Sequence, residues 1–206
     1  MNRRKKLDVR YLTQLSLLVA IEVVMKTIGL GSVPVGPLYM SFLTVPIAVG
    51  AIVLGPLAGM ILGGVFGFVS FLDAIKGASV MTSNLLAISP VHTFVLCFGM
   101  RVLMGLCVGL VYRGMAGLRA EGTLGCFVTS LSAPLLNTLF FMGYIVLAFY
   151  QTPYIQGLVS AKGAVNPVMF VVLLVGVQGL VEAVVCSIAG TAFAGGVKRA
   201  LRRAAR

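Results

Sequence analysis

Arg101, Asn137 and Gln178 are polar side chains set deep inside long apolar stretches of a 206-residue chain. A strongly polar or ionisable group in such a setting is costly unless it is paired or wetted, so each calls for a partner or a cavity. Arg101 lies about 12 residues from Ser89, Gln178 about 12 from Asn166, and Asn137 about 13 from Tyr150. At 1.5 Å per helical residue all three reach roughly 18–20 Å from the same end of their stretches. Side chains converging at one depth build either a polar pocket or a structural knot. In the second case Glu182, one turn beyond Gln178 on the same face, neutralises Arg101. In the first, a guanidinium suits a carboxylate, and the two amides suit hydroxyl and amide groups.

Asn137, Phe141 and Tyr144 recur on one helical face. A polar group between aromatic walls is the mixture that small-ligand pockets favour, and packing against lipid or a neighbouring helix explains the same spacing. His92 precedes Arg101 by nine residues and points about 180° away on an ideal helix. Only one of the two is expected to face a given cavity, with Pro90 able to disturb that geometry. His92 either hydrogen-bonds an acidic ligand or is solvated near its helix end. Glu22 and Lys26, spaced i, i+4 in the favourable orientation, neutralise each other. Asp73 and Lys76 mark the end of a stretch and reach water.

No catalytic constellation accompanies these residues. The sequence has no phosphate-cradling glycine loop with a lysine, no HExxH, no acidic cluster for a metal, and a single histidine without evident serine and aspartate partners. Cys97, Cys107, Cys126 and Cys186 all fall in apolar stretches without CxxC spacing and read as packing residues rather than a disulfide or zinc framework. The chain is expected to be no enzyme, to need no cofactor, and to lack an energy source of its own.

The elements that position these residues are set by composition. The chain is 59% hydrophobic and only 10% charged, against about 25% charged residues in a soluble domain. A soluble fold of this length has room for one or two wholly apolar helices, not six. The expected fold is all-α, an integral membrane bundle of six transmembrane helices in a single domain over residues 1–206, at about 11–29, 38–54, 56–73, 89–113, 124–150 and 166–196. The apolar run that follows the N-terminal basic residues lacks a clean cleavage site and reads as a retained first helix. Leu54, Gly55 and Pro56 force a tight hairpin between the second and third spans.

A net charge of +11 raises nucleic acid as a partner, but the charges sit at the ends. Arg3, Arg4, Lys5, Lys6 and Arg10 precede the first stretch, and Lys198, Arg199, Arg202, Arg203 and Arg206 follow the last. No continuous basic groove is available for nucleic acid; this is the positive-inside pattern, with attraction to anionic lipid added. Both termini are expected in the cytoplasm, with the chain a multi-pass protein of the cell membrane. The loops 29–37, 73–88 and 151–165 then face outward and are placed to cover a site. In the third span Gly55, Gly59, Gly63 and Gly67 leave one face almost bare, for close packing within the chain or for a partner. Ser16 and Ala20 form a smaller version on the first.

The stretch VPVGPLYMSFLTVPIAVGAIVLGPLAGMILGGVFGFVSF, Val33 to Phe71, resembles the substrate-binding subunits (S components) of energy-coupling factor (ECF) transporters, vitamin-importing relatives of ABC transporters. ISPVHTFVLCFGMRVLMGLCVGLVYR from Ile88, LLNTLFFMGYIVLAFYQTPYI from Leu135 and GLVEAVVCSIAG from Gly179 agree, and these later stretches resemble the pantothenate-type branch. The resemblance implies a vitamin held between the outer halves of the fourth to sixth helices, under the loops after the first, third and fifth. By position the candidate ligands are Asn84, Ser89, His92, Arg101, Asn137, Tyr144, Asn166 and Gln178. It also implies partners: a transmembrane coupling subunit driven by two ATPase subunits, met through small residues such as Ser16, Ala20, Gly59 and Gly63. The family often has Ala-xxx-Ala where this chain has Ser16. The expected function is capture of a water-soluble vitamin, pantothenate first, with folate, riboflavin or pyridoxine as alternatives. From other classes stand a facilitator working alone and a membrane enzyme or assembly subunit.

Overall fold

The computed structural model describes residues 9–29, 33–35, 38–118, 120 and 122–204. The basic residues Arg3 to Lys6 and Arg206 lie outside them. The described part is a helical bundle: α1 (Val9–Thr27), α2 (Thr44–Val53), α3 (Pro56–Ile75), α4 (Val80–Ile88), α5 (Pro90–Phe94), α6 (Met100–Gly117), α7 (Thr123–Phe149), α8 (Pro153–Ala161) and α9 (Pro167–Ala204). A small antiparallel hairpin, β1 (Val33–Val35) and β2 (Leu38–Met40), precedes α2, with Val33 opposite Met40. Four helical stretches are long and apolar enough to cross a membrane: Pro56–Ile75, Pro90–Gly117, Thr123–Phe149 and Pro167–Leu201. Their outward faces are apolar, with Leu147 86% and Val177 77% exposed. Side chains of this kind match a hydrocarbon surround.

The second expected span, 38–54, is corrected in form. Its first residues are β2, and the helix that follows has 10 residues, about 15 Å. Thr44 through Ile52 are all buried, because α2 lies at the centre of the bundle between α3, α6, α7 and α9. A helix surrounded on every side is apolar all round, which in sequence looks the same as a membrane span. The turn to α3 forms as expected: Gly55 takes φ +98°, a backbone that side chains rarely adopt, and Pro56 opens the new helix.

The bare face of α3 packs against α6. A Cβ on Gly67 would stand 2.7 Å from the Cys97 carbonyl oxygen, and one on Gly59 or Gly63 would meet the carbonyl oxygens of Gly105 and Arg101. Gly59 and Gly63 are thereby covered within the chain and offer no surface to a partner, which corrects the expectation of a partner contact there. Small residues on both helices let the two backbones touch. The loops expected at 73–88 and 151–165 contain α4 and α8. Met81, Leu85, Ile155 and Val159 from these helices pack on Leu96, Met142, Ile145, Phe149, Phe170 and Leu174, an apolar plug at one end of the bundle.

Two irregularities mark the long helices. Val95–Gly99, between α5 and α6, forms a π turn, so Pro90–Gly117 is one rod with a wide turn inside it. α9 breaks at Gly176 (φ +24°, ψ −117°). The first ends just before Arg101, and the second lies just before Gln178.

Candidate functional site

Arg101, Asn137 and Gln178 line one cavity of about 80 Å³, together with Glu182 and Asp73. Its hydroxyls are Ser41, Ser70, Ser79, Thr82 and Thr138, and its apolar walls Phe66, Met81, Phe141, Met142 and Val175. The wall residues keep helical spacing. Phe66, Ser70 and Asp73 form one face of α3, and Gln178 and Glu182 one face of α9 just after its break, with Val175 just before it. Met81 and Met142 belong also to the apolar plug, which therefore roofs the cavity. Drug-sized ligand pockets run to about 300–1,000 Å³, so this space is contracted.

Arg101 is 8% exposed. Its guanidinium carbon sits 4.3 Å from the centre of the Phe66 ring and 4.9 Å from that of Phe141, and Nη1 donates to the Cys97 carbonyl at 3.2 Å. Cation–π contact between two rings holds a charge where water is scarce. Glu182, 5% exposed, faces the same cavity and accepts from the Ser41 backbone N–H. Among the described residues the two form no ion pair; the ion pair present joins Lys26 Nζ to Asp73 Oδ2 at 2.5 Å. The knot between Arg101 and Glu182 is thus not made. The Glu22–Lys26 pairing is also corrected: Lys26 reaches across to α3, and both carboxyl oxygens of Glu22 are buried without a hydrogen-bond partner. Asp73 does not end in open water but forms part of the cavity wall, half-buried against Lys26, whereas Lys76 is exposed.

The remaining candidates stand outside the cavity lining. Nδ1 of His92 lies 2.9 Å from the Tyr144 hydroxyl, and its ring meets Phe149 edge-on at 6.0 Å. Tyr144 carries the Asn137–Phe141 stripe one turn further, to this second cluster. Asn84 is exposed and donates to the Val80 carbonyl. Ser89 sits at the break between α4 and α5, where its carbonyl accepts from Thr93. Asn166 is exposed, and its Oδ1 accepts from Met169 N–H at 2.7 Å, a cap on α9. Ser16 and Ala20 lie on an exposed face of α1.

Sequence spacing does not single out Ser41, Ser70, Ser79, Thr82 and Thr138, places Asp73 in the solvent, and offers Glu182 only as one of two alternatives, a partner for Arg101. The i, i+4, i+7 recurrence of Phe66, Ser70 and Asp73 was the signal available on α3. Four free cysteines, Cys97, Cys126 and Cys186 of them buried, and no His/Cys/Asp/Glu group fit for a metal occur among the described residues.

A polar chamber with one guanidinium, two carboxyl groups and two amides, inside helices of membrane-spanning length, is equipped to bind and orient a small polar molecule. Comparison with curated proteins gives no match. A family model, ECF transporter, substrate-specific component, matches residues 10–190. That span takes in every wall of the chamber, and the chain belongs to the ECF transporter substrate-specific component family.

Proposed function

We propose that this membrane subunit captures a water-soluble vitamin, with pantothenate the first choice, and hands it to an ATP-driven coupling complex for import. The observation that carries the reading is the chamber itself: Arg101, Asn137 and Gln178 from three helices on one contracted polar space, in a chain of the substrate-specific family. Arg101 takes a carboxylate, and Asn137 and Gln178 take hydroxyl and amide groups. His92, Tyr144, Asn84, Ser89 and Asn166 act at the mouth, where they meet the vitamin as the plug of α4 and α8 parts. Folate, riboflavin and pyridoxine are the alternative cargoes.

In this reading residues 1–206 are one transmembrane domain of six helices, α1 and α2 counted with the four long ones, in the cytoplasmic membrane with both termini inside. The coupling subunit meets the small residues Ser16 and Ala20, and two ATPase subunits supply the energy. This chain binds and moves without catalysing a reaction.

The test is thermal unfolding of the purified protein against a panel of B vitamins. A ligand present at 100 times its Kd adds about 2.7 kcal/mol to stability. Stabilisation by one vitamin with the others inert is the expected result. A panel without effect at millimolar concentration overturns vitamin capture. Uptake in cells with and without the coupling complex separates ATP-driven import from a facilitator working alone.

A further inference from the structure

Three polar atoms at the chamber are buried without a hydrogen-bond partner: Arg101 Nε, Glu182 Oε1 and Asn137 Oδ1. Native folds satisfy nearly all such atoms, and a group left unsatisfied asks for an explanation in function or in a missing partner. The set is asymmetric, one donor and two acceptors. Its two ionisable members are each tied to their own side. Arg101 is held by the Cys97 carbonyl and the rings of Phe66 and Phe141, and Glu182 by the Ser41 backbone. They share the chamber yet do not pair, so the space between them is the place where a third molecule completes both.

We propose that Glu182 is a substrate-recognising residue and the opposite pole to Arg101, so that the chamber selects a small molecule with a carboxylate or carbonyl acceptor at one end and hydroxyl or amine donors at the other. The proposal rests on the reading of this chamber as the substrate site. The acceptor end meets Arg101 Nε, and the donors meet Glu182 Oε1 and Asn137 Oδ1. A dicarboxylate is rejected, because its second carboxylate faces the carboxyl of Glu182 without a donor to offer. A simple cation is rejected by Arg101. An aliphatic carboxylate without donors leaves Glu182 and Asn137 unsatisfied, and sites built to hydrogen-bond a substrate discriminate strongly against the analogue that lacks the group.

The test uses the purified full chain in lipid nanodiscs and three related probes. These are pantothenate, pantothenol (an alcohol in place of the carboxylate) and N-butanoyl-β-alanine (the carboxylate without the hydroxyls). Pantothenate is expected to bind tightest, with each analogue weaker by about 10–100-fold, the range for a hydrogen bond to a charged group. Glu182→Leu should weaken pantothenate by a similar factor and leave N-butanoyl-β-alanine unchanged; Arg101→Gln should weaken pantothenate and leave pantothenol unchanged. Retained binding of one probe shows that the variant is folded. Glu182→Gln, of the same volume, carries the comparison if the leucine variant does not fold. Equal loss of every probe in folded protein, or no loss in the Glu182 variants, overturns the role of Glu182 while vitamin capture stands. Tight binding of thiamine, which has neither a carboxylate nor a carbonyl, overturns it in the same way. Absence of any vitamin ligand overturns the reading beneath it, and this proposal with it.

Discussion

Arg101 keeps its charge between two phenylalanine rings and a backbone carbonyl instead of on a carboxylate. Its direct neutralisation has been left to something else. The rise of a helix alone places Arg101, Asn137 and Gln178 at one depth, and all three line one cavity. Partners across the bundle were a different matter. Lys26 binds Asp73, 47 residues away, and local spacing that saw only Glu22 had no means of finding it. Asn166, near the expected mouth, has a side chain that also serves its own helix as a cap. Asn166→Ala should therefore cost about 1 kcal/mol of stability, the usual loss of an N-cap. Vitamin affinity, measured by titration calorimetry on the same preparation, should hold if the cap is its whole role and fall at least tenfold if Asn166 also reaches the ligand.

At the scale of elements, the long rods were legible because four apolar stretches of membrane length leave few other solutions. The irregular turns within them were not. Nine ideal residues set His92 and Arg101 opposite each other, but the π turn at Val95–Gly99 inserts about one extra residue, worth roughly 100°. Both side chains consequently approach α7, His92 at Tyr144 and Arg101 at Phe141, and only Arg101 lines the chamber. The break at Gly176 has a comparable effect on α9, where it sets the angle at which Gln178 and Glu182 enter. Nothing in the apolar run around it announced a turn, since glycine is common in membrane helices. Gly176→Ala forces a side chain into φ +24°, so stability should fall by about 1–2 kcal/mol, and vitamin affinity should fall with it. Gly196→Ala, in regular helix with nothing within 4 Å of the added methyl group, should gain about 0.5–1 kcal/mol and leave affinity unchanged. Equal behaviour of the two variants in parallel thermal and binding measurements would exclude the break as a positioning device.

The whole molecule has two unlike ends. One carries the Gly55 turn and the basic ends of α6 and α9, where Lys198 hydrogen-bonds the Tyr112 hydroxyl and stands near Arg199. The other carries α4, α8, the plug and the roof of the chamber. In the proposed orientation, with the basic end inside, a cysteine at exposed Ser160, in a chain whose four native cysteines are replaced, should react with an impermeant thiol reagent on intact cells, and one at exposed Ala200 only after permeabilisation. The reverse pattern sinks both the orientation and an outward-facing chamber. Coupling belongs to this scale too. Packing within the chain covers Gly59 and Gly63 but leaves Ser16 and Ala20 exposed on α1, whose few contacts are with α2 and α3. A bulky residue there touches neither the chamber nor the core, so Ser16→Phe with Ala20→Phe should bind vitamin with wild-type affinity. It should, however, block the close helix approach that a partner subunit needs, and lower ATP-driven uptake in cells at least tenfold. Unimpaired uptake by that double variant would move the coupling surface off α1 altogether, and lost vitamin binding would mean that α1 shapes the chamber from a distance through the Lys26–Asp73 pair.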